Sequence, residues 1–312
     1  MNSSTVAAYS GFSRIKLFLA LSRTPHALLD LATPALAAML WLGSIPSPRI
    51  AILGIITAFA GYTAVYALND LVDYQIDREK IQKCGLPCSD HDLDAVYVRH
   101  PLAQGLLGLK EAILWVSGWA GIALVGALLL NPVCAVVFLA GCLAETVYCL
   151  MLRVSHLRIL VSGVVKTAGG IAAVFAVESN PSPGFLIVLF LWLLTWEIGG
   201  QNVPNDLADL EQDRDLLART VPVHFGADDA VRIVRYSLAA AIGFSIVLFW
   251  ATPAALGFLY LPGVLVAGSF LLLLPAKRLA EAQTVRQASA LFNRASYYPL
   301  TVLIIVLISS MV

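Results

Sequence analysis

Nine long apolar stretches alternate with short polar segments along the chain. Their approximate limits are 26–46, 50–69, 111–130, 132–151, 159–178, 184–204, 230–250, 253–274 and 292–311. A helix needs about 20 apolar residues to cross a bilayer, and backbone groups in lipid must find their hydrogen bonds within the element. The pattern therefore predicts an all-α, polytopic membrane protein with nine transmembrane helices, which form a single domain over residues 1–312.

Composition and charge agree with this interpretation. Of the 312 residues, 59% are hydrophobic and only 13% are charged, and the formal net charge is zero. Average soluble domains contain about 25% charged residues, so an ordinary soluble enzyme is not expected. The lack of a basic excess argues against nucleic acid as a partner, and the chain is too apolar to be disordered.

Lysine and arginine residues orient the predicted helices, because cytoplasmic loops carry an excess of these residues. If consecutive spans cross the membrane in opposite directions, 18 of the 20 Lys and Arg residues lie on the same side. Of the other two, Arg49 lies on the opposite side and Lys166 lies within the fifth span. We therefore expect an integral membrane protein with a cytoplasmic N-terminus, whose functional residues lie towards the cytoplasmic side.

A polar motif occurs twice in this charge-poor chain. Residues 69–77, after the second span, read Asn-Asp-x-x-Asp-x-x-x-Asp, and residues 205–213, after the sixth span, follow the same pattern. Four membrane crossings separate the copies, so both lie on the same side of the membrane. The repeat suggests two related halves, about 26–151 and 159–311.

Helical spacing places the polar residues of each copy on one face, because residues three or four apart are neighbours on a helix. Clustered carboxylates beside an apolar span are costly unless a cation satisfies them. Mg²⁺ suits such a site, because it takes carboxylate oxygens and bridges to phosphate. A solvated helix extension is the alternative, but it does not explain two matching copies. The predicted metal ligands are Asn69, Asp70, Asp73, Asp77, Asn202, Asp206, Asp209 and Asp213.

Basic residues follow both motifs and also lie in the loop between the fourth and fifth spans. Together with metal ions they suit a diphosphate, whose charge calls for both metal and cationic donors. No Walker-type phosphate loop is present, so nucleotide hydrolysis is not indicated. The predicted diphosphate-binding residues are Lys80, Lys83, Arg99, Arg153 and Arg219.

Ionisable residues within membrane spans are functional candidates. Lys166 and Glu197 either line a substrate cavity or form a structural pair, whereas Asp30 and Glu145 lie nearer the helix ends and are interpreted as structural. A separate Cys84-x3-Cys88-x2-His91 segment resembles part of a zinc site. It lacks a convincing fourth ligand, and a polar loop is the preferred interpretation.

These features resemble the UbiA superfamily of intramembrane prenyltransferases. The resemblance covers nearly the whole chain and includes the nine spans, both Asp motifs, the Arg99-x-Pro-x-x-x-Gly105 segment and the segment 220–226 that follows the second motif. It implies a helical bundle around a central cavity that opens laterally to lipid. It also implies that the motifs bind Mg²⁺ and an isoprenoid diphosphate, and that a prenyl group passes to an acceptor, typically an aromatic ring.

On this hypothesis metal-assisted ionisation of the allylic C–O bond depends on four catalytic carboxylates, which are Asp73, Asp77, Asp209 and Asp213. Aromatic faces stabilise cations, and the predicted substrate cavity is lined by Tyr62, Tyr66, Tyr148, Lys166, Trp196 and Glu197. A terpene cyclase that acts on the prenyl diphosphate alone is an alternative. An ion-coupled transporter is less favoured, because the two motifs share one membrane orientation rather than an inverted one.

Overall fold

The computed structural model describes residues 14–85 and 93–310. Within these residues, nine helices are long and apolar enough to cross a membrane, as predicted, and no strand is present. They are α1 (Thr24–Leu42), α2 (Pro48–Val72), α3 (Leu109–Leu130), α4 (Pro132–Leu150), α5 (Arg158–Val177), α6 (Pro183–Ala208), α7 (Ala227–Ala251), α8 (Tyr260–Ala282) and α9 (Val285–Ser309).

Several helices begin with signals that the sequence carries. Proline occupies the first turn of α2, α4 and α6, where its missing N–H costs no helical hydrogen bond. The Asn131 side chain accepts a hydrogen bond from the backbone N–H of Val133, and that of Ser182 accepts one from Phe185. These N-caps allow very short connections between consecutive spans.

Four of the spans are interrupted, two of them being α8, by the π-helical segment Ser269–Leu273, and α9, at Tyr297. α1 breaks at Leu31, between the helical segments Thr24–Asp30 and Ala32–Leu42. α6 contains a π-helical segment, Glu197–Asn202, a feature that is frequent at functional sites. The backbone of α7 comes so close to this segment that a Cβ on Gly199 would lie 2.9 Å from the carbonyl oxygen of Val234.

The largest hydrophobic core lies in the second half of the chain. Its buried members come from α1, from α5 to α9 and from the short helix Val221–Phe225, and none comes from α2, α3 or α4 among the described residues. Its largest fully buried side chains are Trp192, Trp196, Tyr260, Tyr298 and Phe185. The helices α2 to α5 instead surround open space with small residues, and this space forms the cavity described below.

Short helical elements cover the end of the bundle at which the two Asp motifs lie. They are the helices Arg14–Leu21, Tyr74–Cys84, Leu210–Asp215 and Val221–Phe225 and a 3₁₀ turn, Leu93–Ala95. The backbone N–H of Leu93 donates to Asn293 Oδ1 at 3.2 Å, which ties the turn to α9. Cys88 and His91, on which the loop interpretation rested, lie outside the described residues.

Candidate active site

The helix breaks at the middle carboxylate of both Asp motifs. α2 ends before Asp73, which has φ −81° and ψ 1°, and α6 ends before Asp209, which has φ −98° and ψ 9°. A new helix starts directly after each of them. The helix is therefore not continuous through either motif, although the motif residues still face one space. Both residues adopt the bridge conformation, in which many active-site residues are found.

One cavity of about 580 Å³ lies between α1 to α6 and α9. Both motifs line the same end of it, which we call the carboxylate end. The motif residues on its wall are Asn69, Asp73, Asp77, Asn202, Asn205, Asp206, Asp209 and Asp213. Asp70 is buried directly behind this wall. The structure thus brings together two motifs that are far apart in the sequence.

The first motif is held by hydrogen bonds from three directions. Asn69 donates to Glu145 Oε1 at 2.7 Å and accepts from Arg23 at 2.8 Å. His100 Nδ1 lies 3.2 Å from Asp70 Oδ1 and 2.9 Å from Asp77 Oδ2. Because of the Asp77 and Asp70 charges, which outweigh the effect of burial, the pKa of His100 is raised to about 9. Ligand atoms of Asp70, Asp77 and His100 lie within 4.8 Å of one another, close enough to hold a metal ion.

The second motif is linked to the first through two predicted cations. Lys80 Nζ lies 2.6 Å from Asp209 Oδ2, and the Arg99 guanidinium lies 3.0 Å from the same oxygen. Burial alone raises the pKa of Asp209, but the charges of Arg99 and Lys80 outweigh it and lower the pKa below its ordinary value. Since Lys80 belongs to the helix that follows the first motif, this contact joins the two halves of the site.

Arg158 is a further cation between the motifs. It begins α5, is only 6% exposed, and its guanidinium lies 4.0 Å from the centre of the Tyr148 ring. Its charge acts on Asp73, Asp206 and Asp213 together. Burial and the neighbouring Asp77 charge nevertheless raise the pKa of Asp73 to about 6.

The carboxylate end contains buried oxygen atoms that accept no hydrogen bond from any described residue. These are Asp73 Oδ1, Asp206 Oδ2 and Asn202 Oδ1. A buried polar atom without a partner is costly, and carboxylate and amide oxygens are ligands of hard divalent cations. The residues therefore fit a Mg²⁺ site.

Three predicted diphosphate-binding residues do not reach the cavity. Lys83 and Arg153 both contact Glu79, at 2.7 Å and 2.6 Å. Arg219 is exposed and donates to the carbonyl oxygen of Val154. Lys80 is 13% exposed whereas Lys83 is 51% exposed, so of these two lysines only Lys80 reaches the cavity.

The predicted cavity residues lie deeper in the membrane, and most of them line the cavity. Lys166 forms an ion pair with Asp30 at 2.7 Å rather than with Glu197, and Tyr66 also donates to Asp30, at 2.5 Å. Glu197 accepts a hydrogen bond from Ser162 at 2.7 Å. Tyr62 and Tyr148 line the cavity. Trp196 lies behind its wall, with the Lys166 ammonium 5.6 Å from its ring.

Several residues of the site were missed or misjudged from the sequence. Arg23 had been explained by the orientation of the chain in the membrane, and Asp30 and Glu145 had been interpreted as structural. Arg158 belongs to the basic loop between the fourth and fifth spans, from which only Arg153 was selected. All four residues, Arg23, Asp30, Glu145 and Arg158, line the cavity. His26 also lines it and lies four residues before Asp30. That spacing within a span is a signal that could have identified the pair.

Comparison with known proteins agrees with this geometry. The chain matches the UbiA prenyltransferase family over residues 31–297. It is 23% identical to a 4-hydroxybenzoate octaprenyltransferase of Saccharophagus degradans over 73% of this chain and 71% of that protein. It is 24% identical to a digeranylgeranylglyceryl phosphate synthase of Thermococcus sibiricus over 82% of this chain and 84% of that protein. A solved UbiA homologue from Archaeoglobus fulgidus, bound to DMAPP and Mg²⁺, has the same fold, with a TM-score of 0.64, 17% identity, and coverage of 92% of this chain and 98% of that one.

The chain therefore belongs to the UbiA prenyltransferase family. It is an integral membrane enzyme, a prenyltransferase with nine candidate membrane-spanning helices among its described residues.

Proposed function

We propose that this enzyme transfers a prenyl group from an isoprenoid diphosphate to an aromatic acceptor within the membrane, with Mg²⁺ as cofactor. The observation that carries the proposal is the convergence of two Asp motifs at one end of a single cavity. The Archaeoglobus fulgidus homologue was solved with Mg²⁺ and a prenyl diphosphate, and one relative is named for an aromatic acceptor. Both facts support the proposal.

The two motifs would hold the metal from opposite sides of the carboxylate end. Asp73 and Asp77 would contribute from the first motif, and Asp206, Asp209 and Asp213 from the second. The buried oxygens without partners are the strongest argument for this set. Mg²⁺, when bound, supplies positive charge to the leaving diphosphate.

The protein's own cations complete the charge balance. Lys80, Arg99 and Arg158 line the cavity beside the motifs, where they can donate hydrogen bonds to diphosphate oxygens. Donors fixed in advance at a buried site stabilise a leaving group far more than donors in water do. Asp209 holds Lys80 and Arg99 in place through the short contacts described above.

Beyond Tyr66, the part of the cavity along α2 becomes apolar. It continues along α2 from Asn69 to Ile50, past Gly61, Ala58 and Gly54. An apolar tail would lie in this part, and the allylic carbon would then be placed near Tyr66, one turn from Asn69. The apolar walls exclude water, which would otherwise capture a carbocation.

A terpene cyclase remains the alternative, because it would use the same metal and diphosphate machinery. A cyclase would need an apolar surface around the reacting carbons. The ionic group formed by Asp30, Lys166 and Tyr66 lies in this region instead, and this favours an acceptor with polar groups. The excess of Lys and Arg near this end supports a site that faces the cytoplasm.

The test is product analysis with purified enzyme in lipid nanodiscs. Prenyl diphosphates of several lengths are offered with and without aromatic acceptors, in Mg²⁺ or in EDTA. We expect a prenylated acceptor only when Mg²⁺ is present, and a loss of at least about 100-fold in turnover for Asp73→Asn and for Asp209→Asn. Asp229→Asn, at an exposed ion pair with Arg232, is the matched control.

Two results would contradict the proposal. Hydrocarbon or alcohol formed equally well without acceptor would indicate a cyclase. Full turnover by both motif variants would show that the carboxylates do not take part in the reaction.

A further inference from the structure

A polar chamber lies within the cavity, about one helical turn below the carboxylate end. Asp30, Lys166, Tyr66 and Glu197 form its walls, with His26 and Tyr62 beside them. Ionisable groups at this depth are expensive and rare. The metal ligands of the two motifs do not explain this group, since none of its members belongs to either motif.

Three buried polar atoms of the chamber have no hydrogen-bond partner among the described residues. They are His26 Nε2, Tyr62 Oη and Glu197 Oε2. His26 is 3% exposed and Glu197 is 6% exposed. Buried polar atoms normally find partners, and these three belong to side chains that line one space. Their arrangement points to a ligand that brings hydrogen-bonding groups of its own.

The cations near the chamber already have anionic or polar partners within the protein. Lys166 donates to Asp30 Oδ2 at 2.7 Å and to Tyr66 Oη at 3.1 Å. Arg23 donates to Asn69 at 2.8 Å and lies 3.3 Å from Asp70. Of the three atoms without a hydrogen bond, His26 Nε2 lies 3.8 Å from Asp30 Oδ1 and the Tyr62 hydroxyl can donate or accept. The carboxylate oxygen of Glu197 accepts hydrogen bonds. A second carboxylate placed beside Glu197 and Asp30 would be repelled in this low-dielectric interior.

We propose that the chamber binds the polar group of the prenyl acceptor, and that this acceptor is an uncharged, hydroxylated ring rather than an aromatic carboxylate. Its hydroxyl donates a hydrogen bond to Glu197 Oε2. The inference rests on the proposed function and defines the acceptor class for the same site. Tyr66, at the chamber wall, precedes Asn69 by three residues, or about 4.5 Å along the helix. An acceptor bound here therefore lies beside the reacting end of a prenyl diphosphate.

The test uses acceptors that differ only at one ring position. Hydroquinone, 4-hydroxybenzyl alcohol and 4-hydroxybenzoate are each offered to the enzyme in nanodiscs with one prenyl diphosphate. We expect kcat/KM to be at least about tenfold higher for the two uncharged acceptors, since a buried like-charge contact costs at least as much as one hydrogen bond to a charged group.

Glu197→Gln supplies the second readout. It should raise the KM for hydroquinone by about tenfold, because one charge-assisted hydrogen bond is lost. It should also reduce the difference in kcat/KM between hydroquinone and 4-hydroxybenzoate. The KM for the prenyl diphosphate should not change. Glu281→Gln, on the exposed surface of α8, is the matched control. An unchanged thermal midpoint shows that the variant folds, and hydroquinone alone should raise the midpoint of the wild type more than that of E197Q.

Two outcomes overturn the inference while leaving the proposed function in place. One is a preference for 4-hydroxybenzoate in the wild type, and the other is an E197Q variant with unchanged KM for hydroquinone. If the enzyme consumes prenyl diphosphate but prenylates no acceptor at all, the proposed function fails, and the inference fails with it.

Discussion

A bulky side chain at Gly54 should shorten the prenyl chain that the enzyme accepts. Gly54 lines the cavity on α2, and a Cβ built on it meets no atom within 4 Å. Gly54→Phe can therefore place its ring in open space without displacing a neighbour. If the prenyl tail follows α2 from the carboxylate end, the ring would block the tail at that depth.

The expected limit follows from helix geometry. Gly54 precedes Asn69 by fifteen residues, which corresponds to about 22 Å at about 1.5 Å per residue. Carbon–carbon single bonds of about 1.5 Å at angles near 111° advance an extended chain by about 1.25 Å per bond, so the four main-chain bonds of one isoprene unit cover about 5 Å. Gly54→Phe should thus admit about four isoprene units and exclude longer chains.

A second block nearer the carboxylate end makes the prediction independent of the absolute distance. Gly61 precedes Asn69 by eight residues, or about 12 Å, and its Cβ would make an ordinary contact with Phe138 at 3.7 Å. Gly61→Leu should therefore lower the limit to about two units. The difference between the two variants should be about two isoprene units, because their positions differ by about 10 Å along the helix.

The assay measures relative kcat/KM for prenyl diphosphates of two to eight isoprene units with one fixed acceptor. Gly243→Phe, on the exposed face of α7 where a Cβ also meets no atom within 4 Å, is the control for a large residue in a membrane helix. Equal length profiles for G54F and the wild type would refute a tail path along α2. Equal limits for G54F and G61L would refute the distance argument.

Three further predictions concern charge and packing. Burial raises the pKa of Asp73 to about 6, so protons compete with the metal ion for this carboxylate at low pH. The Mg²⁺ concentration that gives half-maximal activity should therefore fall as the pH rises from about 5 to about 7. The same Mg²⁺ requirement at every pH in this range would contradict the prediction. Arg158→Met should raise the KM for the prenyl diphosphate by at least about tenfold, whereas Arg232→Met, at an exposed ion pair, should leave it unchanged. Gly199→Ala should destabilise the fold by about 1–3 kcal/mol and lower the thermal midpoint, since its Cβ would meet the α7 backbone at 2.9 Å; a midpoint equal to that of Gly243→Ala would contradict the close approach.

The number of spans was predictable, because twenty-residue apolar stretches can satisfy their backbone in lipid only as helices. The helix break at Asp73 was not predictable. Neither glycine nor proline lies near it in the first motif, so the sequence carries no local signal for the break. A regular spacing in the sequence therefore identified the metal-binding candidates but not the backbone that presents them.

The cations of the site show a second limit of sequence analysis. Lys80 and Lys83 are three residues apart on one helix, yet Lys80 contacts Asp209 while Lys83 contacts Glu79 on the outside. Which of two nearby lysines faces inward depends on the rotation of the helix, and composition does not determine it. Arg153 and Arg158 lie in one loop as candidate cations for a diphosphate, and the sequence does not decide between them. Arg158 lines the cavity, whereas Arg153 contacts Glu79 on the outside.

The uneven distribution of large and small residues fits the two tasks of the bundle. Trp192, Trp196 and Tyr298 pack among α6 to α9, and interiors packed with large rings are stiff, so the second motif has a firm support at the end of α6. Small residues such as Gly54 and Ala172 leave volume between α2 and α5. The cavity is charged at the carboxylate end, contains the polar chamber about one helical turn below it, and is apolar along the remaining length of α2. On the proposed function, an amphipathic substrate would therefore enter in one orientation, with its anionic group between the two motifs and its tail within the membrane.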